Sequence, residues 1–123
     1  MDKLLEQVVD RLTEKTKVGK VKWEDISSLS GGPAFRTRFE DAVVQVTDGE
    51  IVSRAVDDDE DRMDYIPYKS VRVLNERGYT VAHAQAVEGQ PDWFKLNSLA
   101  DAASAEARKR TGVLEKLLVE LGK

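Results

Sequence analysis

Apolar positions recur along this chain at two periods, one helical and one strand-like, and the changes of period mark its elements. Near the C-terminus Leu96, Leu99, Ala103, Ala107, Leu114, Leu118 and Leu121 follow one another at helical spacing, which places them on one face of a helix over Trp93 to Leu121. Leu4, Leu5, Val8, Val9 and Leu12 do the same near the start, with Glu6, Asp10, Arg11, Glu14 and Lys15 on the opposite face. Asp2 suits the N-cap of this first helix and Gly19 its stop, and Lys15 and Lys17 suit the negative end of its dipole.

Between the helices the period falls to two. Val21 and Trp23 alternate with lysines in a short extended segment, and Ser27 to Pro33 reads as a loop. Phe35, Thr37 and Phe39 alternate with Arg36 and Arg38, a strand with one packed and one wet face. Parity switches across Glu40 and Asp41 to Val44 and Val46, which predicts a tight turn or bulge. Thr47-Asp48-Gly49-Glu50 predicts a two-residue hairpin turn, with Ile51 to Val56 as the returning strand. Asp57 to Asp64, with six carboxylates and one arginine, predicts a solvated loop. Tyr65 to Leu74 resumes strand character, with Pro67 confining its first part to an edge or bulge. Asn75 to Gly78 is a second hairpin turn, with Gly78 left-handed, before Tyr79 to Val87. In this last strand Tyr79, Val81, His83 and Val87 share one face and Ala82, Ala84 and Ala86 the other.

The predicted fold is α+β in a single domain, 1–123: an N-terminal helix, an antiparallel meander of about five strands, and a long C-terminal helix on one sheet face. Asp92 or Ser98 is positioned to cap the last helix. Gly112 interrupts it, which predicts a bend or restart near Thr111, because glycine costs about 1 kcal/mol relative to alanine inside a helix.

Composition narrows the chemistry. The 123 residues contain no cysteine, so disulfides, thiolate metal sites and cysteine nucleophiles are excluded, and a single histidine leaves little for zinc. Seven charges in the first fifteen residues leave no apolar core for a signal peptide, which predicts a cytoplasmic protein with no membrane partner. A net charge of −4 disfavours a wholly basic nucleic-acid binder, although a local basic patch stays open.

Asp57, Asp59 and Asp61 fall at the first, third and fifth positions of an EF-hand-like loop, but Arg62 stands where glycine is needed and Tyr68 where a bidentate glutamate belongs. No metal site is assigned on that pattern. Gly19-Lys20 is not a P-loop, since Glu14 and Val21 occupy positions that require glycine and a hydroxyl residue. His83 has no identifiable nucleophile beside it, so neither a catalytic residue nor a cofactor is assigned. The basic features are Arg36, Arg38, Arg72 and Arg108-Lys109-Arg110; of these Arg36, Arg38, Arg108, Lys109 and Arg110 are the candidate phosphate contacts, which form one site only if the first strand and the helix turn converge. Glu106 and Arg110 are also spaced for an ion pair. Trp23 reads as core. Trp93 reads either as core edge or, with Tyr65 or Tyr68, as an anchor for a partner, with Asp57, Asp58, Asp59, Glu60 and Asp61 presenting acid to it.

Three stretches together carry a resemblance: Leu12 to Trp23 with Thr16, Gly19-Lys20 and Trp23; the hairpin-rich middle; and the ending through Leu96, Leu99, Ala103, Ala107, Leu114, Leu117, Leu118 and Leu121. The chain resembles a loose group of small, uncharacterised bacterial and phage-associated proteins with a helix, a meander and a terminal helix. That resemblance implies packing positions and no catalytic or ligand residues. The expectation is a small non-enzymatic protein-binding or adaptor protein of the bacterial cytoplasm, acting on a protein partner or as a homodimer through an open sheet edge or the last helix. An immunity- or antitoxin-like inhibitor is a special case. A nucleic-acid-binding module is the first alternative, and a small-ligand or enzymatic domain, with His83 or paired carboxylates in a pocket, the second.

Overall fold

A computed structural model describes residues 1–57 and 60–122, without the side chains of 53–57, 60–63, 110 and 111. Its elements run α1 (Lys3–Lys17), β1 (Glu24–Asp25), α2 (Ser27–Ser30), β2 (Ala34–Arg38), β3 (Ala42–Asp57), β4 (Glu60–Asn75), β5 (Thr80–Val87), α3 (Trp93–Ala107) and α4 (Arg110–Leu121). The five strands form one antiparallel sheet in sequence order, with the helices at its ends in the chain, so the α+β expectation holds.

The first helix begins where its cap is. Asp2 accepts from the Leu5 amide at 2.8 Å, and Gly19, with φ of 77°, turns the chain away after Val18. Leu5, Val9, Leu12 and Thr16 are buried, whereas Leu4 and Val8 stay exposed. The buried stripe is narrower than the apolar pattern because α1 packs chiefly against α3 and leaves its other flank over an open groove. Met1 and Asp92 pair at 2.8 Å, and the Lys95 ammonium reaches Glu6 and Asp10 at 2.7 and 2.9 Å, so the two helices are tied at their starts. Asp92, at the N-cap of α3, spends its carboxylate on this pair and makes no capping bond.

Trp23 explains the spacing of the segment after α1. Its ring joins the core, and its indole N–H donates to the Thr16 hydroxyl at 2.9 Å in a buried setting. Glu24 and Asp25 then pair with Arg36 and Phe35 as the edge strand. Ser27 to Ser30, read as loop from composition, closes one helical turn, with the Asp25 carboxylate accepting from both the amide and the hydroxyl of Ser27.

Two turn assignments change. Thr47 to Glu50 is not a hairpin: β3 runs straight through it for sixteen residues, with Asp48 opposite Lys69 and Gly49 opposite Tyr68. Asp48 forms an ion pair with Lys69 at 2.7 Å, and a Cβ on Gly49 would stand 2.6 Å from the Tyr68 ring. The glycine serves close approach of an aromatic ring instead of a left-handed turn. The acidic stretch is likewise not simply a loop, since Asp57 ends β3 and Glu60 to Asp64 lie in β4, in register with Asp57 back to Ser53; Asp58 and Asp59 lie outside the described residues. Strand number agrees with the expectation because β1 adds a strand where the abolished turn removes one.

β3 and β4 outrun their neighbours. β2 stops opposite Thr47 and β5 opposite Tyr68, so the pair continues beyond them as a two-stranded ribbon. Pro67 sits one residue past the last β5 contact, on a free edge where its missing N–H costs nothing. The turns at 39–42 and 75–78 are as expected, and Gly78 has φ of 84°.

α3 lies on the sheet, with Leu96, Leu99, Ala100 and Ala103 buried against Phe35, Val44, Val46, Val71, Ala84 and Ala86. Small alanines on both surfaces bring helix and sheet close. The C-terminal break falls earlier than the Gly112 expectation. Lys109 adopts φ of 46°, α3 ends at Ala107, and α4 continues through Gly112 without interruption.

Candidate interaction surface

Four features outside the core could carry function: the exposed α4, the groove beside α1, the outer face of the sheet, and the aromatic and charged cluster at Trp93. The described side chains of α4 are all exposed, although Val113 and Leu114 near its start face Asp101, Ser104 and Ala105 of α3 across a shallow cleft. Val113, Leu114, Leu117, Leu118, Val119 and Leu121 are 49–75% exposed. Leu114, Leu117, Leu118 and Leu121 fall at the i, i+3, i+4 and i+7 positions with which a helix anchors in a partner's groove.

The groove beside α1 has a volume of about 980 Å³. Its floor is apolar, from Leu4, Val8 and Leu12 on α1 across to Phe39, Val44 and Val73 on the sheet side, and its lip carries Asp10, Arg11, Glu14 and Lys15. It exists because α1 leans on α3 and does not cover this end of the sheet. Periodicity groups Leu4 and Val8 with Leu5, Val9 and Leu12 on one apolar face; the helix's tilt, which no local pattern encodes, leaves those two on the groove wall.

The outer face follows from strand alternation. Phe35 and Thr37 point to the helices, so Arg36 and Arg38 point away. Register carries Arg36 across Gln45 and Arg72 to His83, one row of side chains over four strands. Arg36 is held by Glu24 at 3.0 Å, while Arg38, Arg72 and His83 are exposed. The alternation of Arg36 and Arg38 was legible in the sequence; the alignment of Arg72 and His83 with them required the register.

Arg108 is on the other side. Its guanidinium lies 5.4 Å from the Phe35 ring centroid and 3.6 Å from the Asp25 carboxylate, beneath the sheet face that α3 covers. Hydrogen bonds from the Ser27 hydroxyl and amide hold the Asp25 carboxyl below its ordinary pKa, and Arg108 adds to this. Lys109 forms the break between helices, and Arg110 opens α4. The structure therefore places Arg36 and Arg38 on one sheet face and Arg108 on the other, while the side chain of Arg110 lies outside the described residues. Glu106 accepts from the Trp23 amide and lies 3.7 Å from Lys22; the side chain of Arg110, its expected partner, lies outside the described residues.

Trp93 is half-buried at the core edge, with the Lys69 ammonium 5.8 Å from its ring centroid and Asp48 on that ammonium. Tyr65 and Tyr68 are three residues apart in β4 and so face opposite sides of the ribbon; Tyr68 covers Gly49, and Tyr65 is exposed. The three aromatics do not form one anchor. Of the acidic residues proposed beside them, Asp57, Glu60 and Asp61 sit in the ribbon backbone and Asp58 and Asp59 fall outside the described residues. Among the described residues, no three His, Asp or Glu side chains converge as a metal site, and no helix is long and apolar enough to cross a membrane.

Comparison with family models, curated proteins and solved structures finds no match to this chain. The fold and surface define its class by themselves: a small α+β protein with helices packed on an antiparallel meander, an arginine-bearing face on its other side, and a last helix whose described side chains are all exposed.

Proposed function

We propose that this is a protein-binding or adaptor protein, non-enzymatic, whose principal contact element is α4. The observation that carries the reading is the run of six large apolar side chains left in water on a single helix. Such a patch is of a size that marks an interaction site on a soluble protein. The rest of the chain supports α4 as an appendage: among the described residues, the core side chains are all drawn from positions before Arg108. The test compares the wild type with Leu117→Glu and Leu118→Glu, by affinity capture from the native host and by light scattering. Loss of a stoichiometric protein partner, or of self-association, on α4 substitution is the expected outcome. A wild-type chain that stays strictly monomeric and retains no protein refutes the reading.

A second reading, nucleic-acid binding, is favoured by one observation, the row Arg36, Gln45, Arg72 and His83 with Arg38 on an uncovered sheet face. Phosphate contacts there require affinity to fall steeply with salt. Arg38→Ala with Arg72→Ala lowers both affinity and the salt slope if that face binds; absence of salt-dependent binding to single- or double-stranded probes removes it.

A further inference from the structure

The same molecule exposes an apolar stripe on α4 and an open apolar groove beside α1. We infer that α4 of one copy lies in the groove between α1 and the sheet of a second copy, reciprocally, to form a symmetric dimer. The inference rests on the reading of α4 as a contact element and names its partner.

Shape, area and charge support this occupant. Three turns of helix, about 18 Å long at 1.5 Å per residue, present Leu114, Leu117, Leu118 and Leu121 as one stripe, and the groove floor offers Leu4, Val8, Phe39, Val44 and Val73. Half to three-quarter exposure of six Leu and Val side chains leaves on the order of 500 Å² of apolar surface on α4. Two such helices, with the smaller exposed surface of the two grooves, bury on the order of 1,400 Å², within the range of specific interfaces. An isologous arrangement also satisfies both unpartnered surfaces at once and closes on itself, so it does not propagate into a filament.

The lip of the groove is charged in a way α4 answers. Asp10 is engaged by Lys95, whereas Arg11, Glu14 and Lys15 make no ion pair with a described residue. α4 carries Glu115 beside its leucine stripe, opposite in charge to Arg11 and Lys15. A carboxylate at that edge of the helix favours the basic side of the groove over a like charge.

The test separates a helix in a groove from two helices pairing with each other. One variant carries Leu117→Glu and Leu118→Glu; a second carries Leu4→Glu and Val8→Glu on the groove wall. All four positions are exposed, and circular dichroism with urea unfolding checks that each variant folds. Sedimentation across a concentration series is expected to show a wild-type dimer, a dissociation constant raised more than tenfold in each variant alone, and a mixed dimer tighter than either variant alone but weaker than the wild type. Mixing recovers one of the two reciprocal contacts, because the groove of the first variant and the helix of the second are intact. As a charge check, Arg11→Glu weakens the dimer and Glu115→Lys in the same chain recovers it. A dimer insensitive to the groove substitutions, or a mixture that fails to complement, overturns the inference. So does a monomeric wild type, including one whose α4 folds onto its own groove. A monomer that still captures another protein through α4 overturns the dimer alone; one that captures nothing overturns the protein-binding reading as well.

Discussion

Replacing Gly49 with alanine distinguishes a turn from a strand at Asp48-Gly49. In a type I′ turn the glycine has positive φ, and alanine there is destabilising whatever its neighbours are. In the structure Gly49 is in a continuous strand, and the obstacle to a Cβ is the Tyr68 ring, with Cε1, Cζ and the hydroxyl oxygen at 2.6–2.7 Å. Two opposed effects follow. Removing a glycine from a strand interior stabilises by about 0.5–1 kcal/mol. Displacing the half-buried Tyr68 ring loses about half of the burial that a full aromatic side chain contributes, about 1–1.5 kcal/mol. Gly49→Ala in the wild-type background is therefore expected to lie between neutral and about 1 kcal/mol destabilising. In a Tyr68→Ala background only the favourable effect remains, and the same substitution stabilises by about 0.5–1 kcal/mol. Urea unfolding of the four proteins gives the coupling as a double-mutant cycle, expected at about 1–1.5 kcal/mol. Equal destabilisation in both backgrounds, with coupling under about 0.5 kcal/mol, would refute the reasoning and restore the turn.

Thr16→Val leaves the buried Trp23 indole N–H without its acceptor and is expected to cost about 1–3 kcal/mol, with Thr16→Ser recovering most of it, as read by urea unfolding followed through tryptophan fluorescence. The Lys95 pKa is raised by its hydrogen bonds to Glu6 and then Asp10. Its stabilising contribution is therefore complete below the unfolded lysine pKa and disappears as pH rises through the higher folded value. Lys95→Met should lower stability at neutral pH and show a shallower alkaline loss; parallel alkaline unfolding curves would contradict this. Asp25 has the opposite sign: its lowered pKa means stability present above the ordinary carboxylate value and lost as pH falls through the folded one, a loss that Asp25→Asn removes from acid titrations. At the helix break, Lys109→Gly relieves a left-handed side-chain residue worth about 1 kcal/mol, and Gly112→Ala adds about 1 kcal/mol of helix propensity to α4. Slower amide exchange in α4 is expected for Gly112→Ala; helicity lost in that variant would place the break at Gly112 after all.

Local chemistry determined much of this protein. Asp2 and Gly19 bound the first helix because a cap and a left-handed stop are properties of single residues, and Gly78 closes its turn for the same reason. The alternation through Phe35, Thr37, Ala84 and Ala86 settled which strand faces pack, since strand period depends only on the backbone. The tertiary structure decided the rest. Asp48-Gly49 has the composition of a turn, and only Lys69 and Tyr68, twenty residues away across the sheet, make it strand. The opposite placement of Arg108 and Arg36 depends on which sheet face α3 covers, and the row joining Arg36 to His83 depends on a register set by three strand pairings. The groove comes from the lean of α1 on α3, which spacing within one helix cannot carry. Leucine spacing marked the C-terminal stripe as apolar along its whole length. Long-range packing alone divided it, burying Leu96 and Leu99 on the sheet and leaving Leu114 to Leu121 in water beyond the turn at Lys109.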